Sequence, residues 1–123
     1  MAKDFPYSRR FDPPAPVTEI TVSAVGEATL QVLIDTGADV SMFPISVLHS
    51  INARFIEKHR IIPVFGRAYT VDLYAVDVHL AGFHIPAIEV VALNSDNDPL
   101  IGRDVLNHLI VTLDGIGGVT EIS

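Results

Sequence analysis

Asp35, Thr36 and Gly37 are the residues of this chain whose types and spacing could do chemistry. An apolar run, Leu30 to Ile34 broken only by Gln31, ends at the Asp35 carboxylate and drops at once into a Thr-Gly turn. The apolar run predicts a buried strand, and glycine allows a sharp turn or a close backbone approach. A carboxylate at the mouth of a buried strand is costly unless it is hydrogen-bonded or used, which makes Asp35 a candidate for acid–base work. The same residues also fit a plain Asx-type turn closing a hairpin, because Asp and Thr both bond their own backbone. A second segment, Leu100-Ile101-Gly102-Arg103-Asp104-Val105-Leu106, repeats the pattern of an apolar pair running into a glycine and then charge.

Taken together, Leu33-Ile34-Asp35-Thr36-Gly37-Ala38-Asp39 and Leu100 to Leu106 resemble the retropepsin-like aspartic proteases. The resemblance is loose from Val17 to Val119 and tight in these two motifs. It implies a mainly β, closed retropepsin-like domain with one or two short helices, forming half of a two-fold symmetric dimer. It implies Asp35, Thr36 and Gly37 as catalytic residues, with Thr36 bonding across the dyad and Gly37 offering its N–H to the carboxylate. Ala38 and Asp39 would touch substrate. Alanine at 38 lacks the hydroxyl donor that pepsin-like relatives place beside the carboxylate. Gly102, Arg103 and Asp104 are the structural counterpart, Arg103 pairing with Asp39 and Gly102 permitting close approach to the Asp35 turn. As a bare charge, Asp39 also reads as a surface carboxylate.

Hydrolysis of a peptide without metal or nucleophile needs a base to activate water and an acid for the carbonyl and leaving amine. Two carboxylates sharing a proton supply both. Asp-Thr-Gly occurs once here; Asp114-Gly115 lacks the threonine and leads into a glycine-rich loop. One motif in a chain of this length implies a homodimer. The expected function is therefore an aspartic endopeptidase on peptide or protein substrates. The alternative is a weakly active or inactive dimerisation or peptide-binding module of the same fold.

The elements that must position these residues are legible in outline. Residues 1–16 carry four of the eight prolines and no apolar period, and read as an extended arm ahead of a domain at 17–123. Val17–Val25 and Ala28–Ile34 alternate as strands around a Gly26-Glu27 turn. Ser41–Asn52, with Pro44, Ile45 and Leu48, reads as a short helix. Phe55–Val64 reads as strand and loop. The residues Phe65-Gly66-Arg67 show by themselves an ordinary hairpin turn; the resemblance to retropepsins implies that they are the tip of a substrate-covering flap. From Thr70 to Leu80 the period-2 pattern changes phase, predicting a bend or bulge near Tyr74-Ala75-Val76. Phe83–Leu93 is a strand, 94–99 a loop, Arg103–Leu109 a two-turn helix, and Val111–Leu113 and Val119–Ile122 short closing strands.

Composition removes other functions. The net charge is −7, and Lys3, Arg9 and Arg10 crowd the N-terminus, so a phosphate backbone is not an expected ligand. No apolar run reaches membrane-span length. The first residues lack the apolar core of a signal peptide, and the cysteine count of zero suits a reducing compartment, so a cytoplasmic protein is expected. The five histidines show no metal-ligand spacing, Asn94–Asp98 lacks the glycine and distal glutamate of a calcium loop, and no phosphate cradle exists. No metal and no cofactor are expected.

Overall fold

The structure, a computed structural model, describes residues 2–94 and 96–123. Met1, and Ser95 of the expected 94–99 loop, lie outside the described residues. Among the described residues the chain runs β1 (Lys3–Pro6), β2 (Val17–Ser23), β3 (Glu27–Ile34), β4 (Met42–Pro44), α1 (Ile45–Ser50), β5 (Arg54–Ile61), β6 (Tyr69–Leu80), β7 (Phe83–Leu93), β8 (Leu100–Ile101), α2 (Arg103–Leu106), β9 (Val111–Asp114) and β10 (Val119–Ile122). The domain is mainly β with two short helices, as its alternating apolar pattern requires. No described helix is long and apolar enough to cross a membrane.

Seven strands form one sheet in the order β2-β3-β8-β4-β7-β6-β5, and an extra pairing of β2 with β6 curls it closed. Closure gives the sheet an inside. Ile20 and Val22 of β2, Val32 and Ile34 of β3, and Val76, Val78 and Leu80 of β6 meet there with Phe43, Leu48 and Ile101. Each such side chain contributes roughly 1.5–3 kcal/mol by leaving water, so the period-2 apolar positions hold the sheet together. The remaining strands form a second sheet, ordered β1-β10-β9.

Two expectations are corrected and a third is made specific. Ser41 is not helical: Met42–Pro44 forms β4, parallel to β7, and α1 starts only after Pro44. Phe43 is fully buried in that strand, and proline, lacking an N–H, ends the ladder and suits the residue before a helix. The helix expected at Arg103–Leu109 stops at Leu106. Beyond it His108 and Leu109 donate to Val105 and Leu106 in tight three-residue turns, while Ile110 exchanges backbone hydrogen bonds with Ser123. The pull of that ladder wins over the helix. The third concerns the phase change in β6. Leu73 and Tyr74 are buried in succession, which is where the phase changes, and a pairing irregularity lies on each side of β6 there. The irregularities sit on its neighbours, at Ile56 of β5 opposite Leu73–Tyr74 and on β7 between Ile85 and Ile88. There Ala87 takes a positive φ of 57° and donates its N–H to Asp77.

The stretch read as an extended arm is extended only at Lys3–Pro6; residues 8–15 double back on themselves. Lys3–Pro6 pairs antiparallel with Val119–Ile122, and Ser8 bridges to Ala15.

Candidate active site

Asp35 follows the last residue of β3, and its placement is dictated by the strand beside it. Leu33 and Ile34 pair in parallel with Leu100 and Ile101 of β8, and the Asp35 N–H donates to the Ile101 carbonyl at 3.0 Å. The two apolar pairs of the sequence motifs are thus neighbouring strands, each delivering its glycine-containing turn to the same end of the sheet. At Asp35 the chain turns. The Gly37 N–H donates to Asp35 Oδ1 at 2.9 Å, and the Ala38 N–H reaches back to the Asp35 carbonyl at 3.2 Å. A Cβ on Gly37 would lie 3.3 Å from Asp35 Oδ1, tight enough to press on the carboxylate. Asp35 and Ala38 are half-buried, while Thr36, Gly37 and Asp39 are exposed.

Gly102 fixes the approach of the second motif. A Cβ there would sit 2.6 Å from the Ala38 carbonyl oxygen and 3.1 Å from the Val40 carbonyl carbon, so only glycine lets the two turns touch. Next to it the Arg103 N–H donates to the Ala38 carbonyl at 2.9 Å. The Arg103 guanidinium forks, one nitrogen donating to the Thr36 carbonyl at 2.7 Å and the other pairing with Asp39. Asp39 is therefore in an ion pair, but not a buried one: the Arg103 and Asp39 side chains are 44% and 79% exposed.

Asp104 anchors the whole arrangement through a residue that motif reading missed. Ser41 is fully buried, and its N–H and Oγ–H donate to the two Asp104 carboxylate oxygens at 2.9 and 2.7 Å. Ser41 Oγ also accepts the Gly102 N–H at 3.1 Å, and Asp104 Oδ1 caps the Val105 N–H. A hydroxyl two residues past Asp39 was the available signal; its helical reading hid it.

The structure brings Asp35, Thr36, Gly37, Ala38, Asp39, Gly102, Arg103 and Asp104 into one cluster. Phe65, Gly66 and Arg67 stand apart at the end of the β5–β6 hairpin, with Phe65 90% exposed and Gly66 at a φ of 95°. A cavity of about 390 Å³ opens between the hairpin and the site, lined by Asp39, Val40, Ile61, Leu73, Glu89 and Val91 among others. It reaches Ile62 but not the three tip residues. Val40, Leu73, Glu89 and Val91 were not singled out in the sequence, because only the fold turns them to one hollow. Among the described residues no group of three His, Cys, Asp or Glu is placed to hold a metal ion.

The model of the aspartyl protease family matches residues 20–105, from β2 into α2. Among solved structures, the chain is similar to a retropepsin-like aspartic protease from Rickettsia conorii, at 11% identity and a TM-score of 0.69 over 99% of this chain and 91% of that one. It is also similar to EIAV protease, solved in complex with the inhibitor HBY-793. That match has 24% identity and a TM-score of 0.52, over 76% of this chain and 86% of that one. No curated protein matches the sequence significantly.

Proposed function

This chain belongs to the aspartyl protease family, and we propose that it is a retropepsin-type endopeptidase, active as a homodimer. The carrying observation is the Asp35 turn itself: one carboxylate at a strand mouth, held by the Gly37 N–H, and occurring once per chain. A second copy supplies the second carboxylate. Like charges about 3 Å apart cannot both ionise, so the pair holds one proton. The ionised Asp35 takes a proton from water, whose oxygen attacks the peptide carbonyl carbon, while the protonated Asp35 of the other copy donates to the carbonyl oxygen. Collapse of the resulting diol breaks the C–N bond, and the proton taken from water passes to the leaving amine. No cofactor enters.

Peptide substrate lies along the hollow beside Asp39, with Ala38 and Asp39 flanking the scissile bond and Phe65, Gly66 and Arg67 closing over it as a flap. Thr36 links the two active-site turns. Gly102, Arg103 and Asp104 hold the turn in place. The proposed setting is the cytoplasm. A mixed peptide library incubated with wild type and with Asp35→Asn tests the reading. Cleavage by wild type and none by Asp35→Asn is the expected result. Binding without cleavage by both would identify a peptide-binding module, and equal cleavage by both would remove Asp35 from the chemistry.

A further inference from the structure

We propose that Glu89 selects substrate, taking the basic side chain of an arginine or lysine at one fixed position of the peptide. The inference rests on the peptidase reading above and names the class of substrate that the site prefers.

Strand register puts Glu89 at one end of the hollow beside Asp39. Leu73 of β6 lies opposite Val91 of β7, and in the next row Ala75 lies opposite Glu89. Residues two apart on a strand share a face, so Leu73, Val91 and Glu89 look the same way. That face is turned from the core, because Tyr74 and Val90, which alternate with them, belong to the core cluster. Leu73 and Val91 are nevertheless only 9% and 2% exposed. With Val40 they give the hollow an apolar floor, and the Glu89 carboxylate closes one end of it.

The carboxylate is exposed and forms no ion pair among the described residues. The other charges around it are engaged, distant or turned away. Asp39 pairs with Arg103. Arg60 lies two residues from Lys58, which pairs with Asp72, so both belong to the opposite face of the hairpin. His59 shares the face of Glu89 but stands beyond the Leu73 row, roughly 13 Å along the strands. Arg54 lies in the Glu89 row on the far side of Ala75, about 10 Å away at two strand spacings, and does not line the hollow.

An apolar floor ending in an unpaired carboxylate matches a side chain with an apolar stem and a cationic tip. Lysine and arginine lay their methylenes along apolar surface and carry the charge beyond it. Arginine also offers two parallel N–H donors to a carboxylate, which favours it over lysine. Leucine would cover the floor and leave Glu89 in water, and glutamate would set a like charge against it.

A position-scanning peptide library, carrying Arg, Lys, Gln, Leu or Glu at each position in turn, tests the proposal. At one position, wild type should cleave the Arg and Lys peptides with about fivefold higher kcat/KM than the Gln and Leu peptides, the size that an exposed ion pair allows. Glu89→Gln should abolish that ratio, and Glu89→Lys should invert it in favour of Glu. Ratios between peptides do not depend on how much of a variant folds. Glu57→Gln removes an equal charge from the same face outside the hollow, and should keep the preference. A preference unchanged in Glu89→Gln, or lost equally in Glu57→Gln, would overturn the proposal. Binding of the same peptides, fluorescently labelled, to Asp35→Asn separates the two readings. Basic preference in binding, with no cleavage by wild type, rejects the peptidase reading alone. Cleavage by wild type with no basic preference at any position rejects the role of Glu89 alone, and neither binding nor cleavage rejects both.

Discussion

Ser41 and Asp104 are joined by two hydrogen bonds, the serine backbone N–H and its hydroxyl each donating to one carboxylate oxygen, at 2.9 and 2.7 Å. The pair ties the chain just past the first motif to the second motif. Because Ser41 Oγ also receives the Gly102 N–H, a single buried atom connects the residue before β4 with the start of α2. Asp35 owes its position to this contact at one remove: Gly102 is held by Ser41 and presses on Ala38, three residues past the carboxylate.

Ser41→Ala should therefore be costly. It leaves an Asp104 oxygen and the buried Gly102 N–H short of a partner, a loss of about 1–3 kcal/mol. Ser50→Ala removes only an exposed bond to the Val47 carbonyl and should stay within about 0.5 kcal/mol. Urea denaturation of both variants checks the difference, and equal midpoints would contradict it.

Gly102→Ala should damage stability and activity together. A Cβ at 2.6 Å from the Ala38 carbonyl oxygen forces the Asp35 turn away from α2, at about 1–3 kcal/mol. Gly82→Ala is a useful contrast, since space around Gly82 is open and its cost arises from a φ of 84°. Both variants should lower the melting temperature. Only Gly102→Ala should lower peptide turnover at temperatures where both are folded.

Arg103→Ala should cost little in the stability of the fold and much in turnover. The pair with Asp39 is exposed to solvent, which limits its worth to about 0–1 kcal/mol. The fork also holds the Thr36 carbonyl, one residue from Asp35, and small displacements there affect catalysis out of proportion. Arg103→Lys should not restore activity, because an ammonium lacks the planar fork. Arg54→Ala, without such partners, should leave turnover unchanged. Comparison of kcat and urea midpoints for the three variants tests this.

Asp77 makes an acid-sensitive contact at the β6–β7 hairpin. The Ala87 N–H, and then His84, hold its carboxyl below the ordinary value of 3.8. With the folded pKa below the unfolded one, its contribution is complete above the ordinary carboxylate range and is lost as pH falls through the folded pKa. The side chain is 40% exposed, so solvent keeps the effect small. Between about pH 2 and pH 6, the wild-type melting temperature should fall more steeply on the acid side than that of Asp77→Asn. Parallel curves would show that Asp77 does not contribute.

Much of this molecule is written locally. The Asp35 turn is legible because an apolar strand, a carboxylate and a glycine are contiguous, and their conformational demands act within a few residues. The mainly β class follows from period-2 burial, which any strand of a closed sheet repeats. Tertiary structure decided what depends on partners distant in sequence. Ser41 leads into a strand and not a helix because Asp104 and Gly102, more than sixty positions on, satisfy its hydroxyl. The exposure of the Arg103–Asp39 pair was decided by what packs around the two side chains, which neither residue's sequence position encodes. Lys3–Pro6 becomes a strand only because β10 offers an edge to it. The same pairing leaves β9 at the other edge of that sheet, since alternation along a strand is local but the choice of neighbour is not.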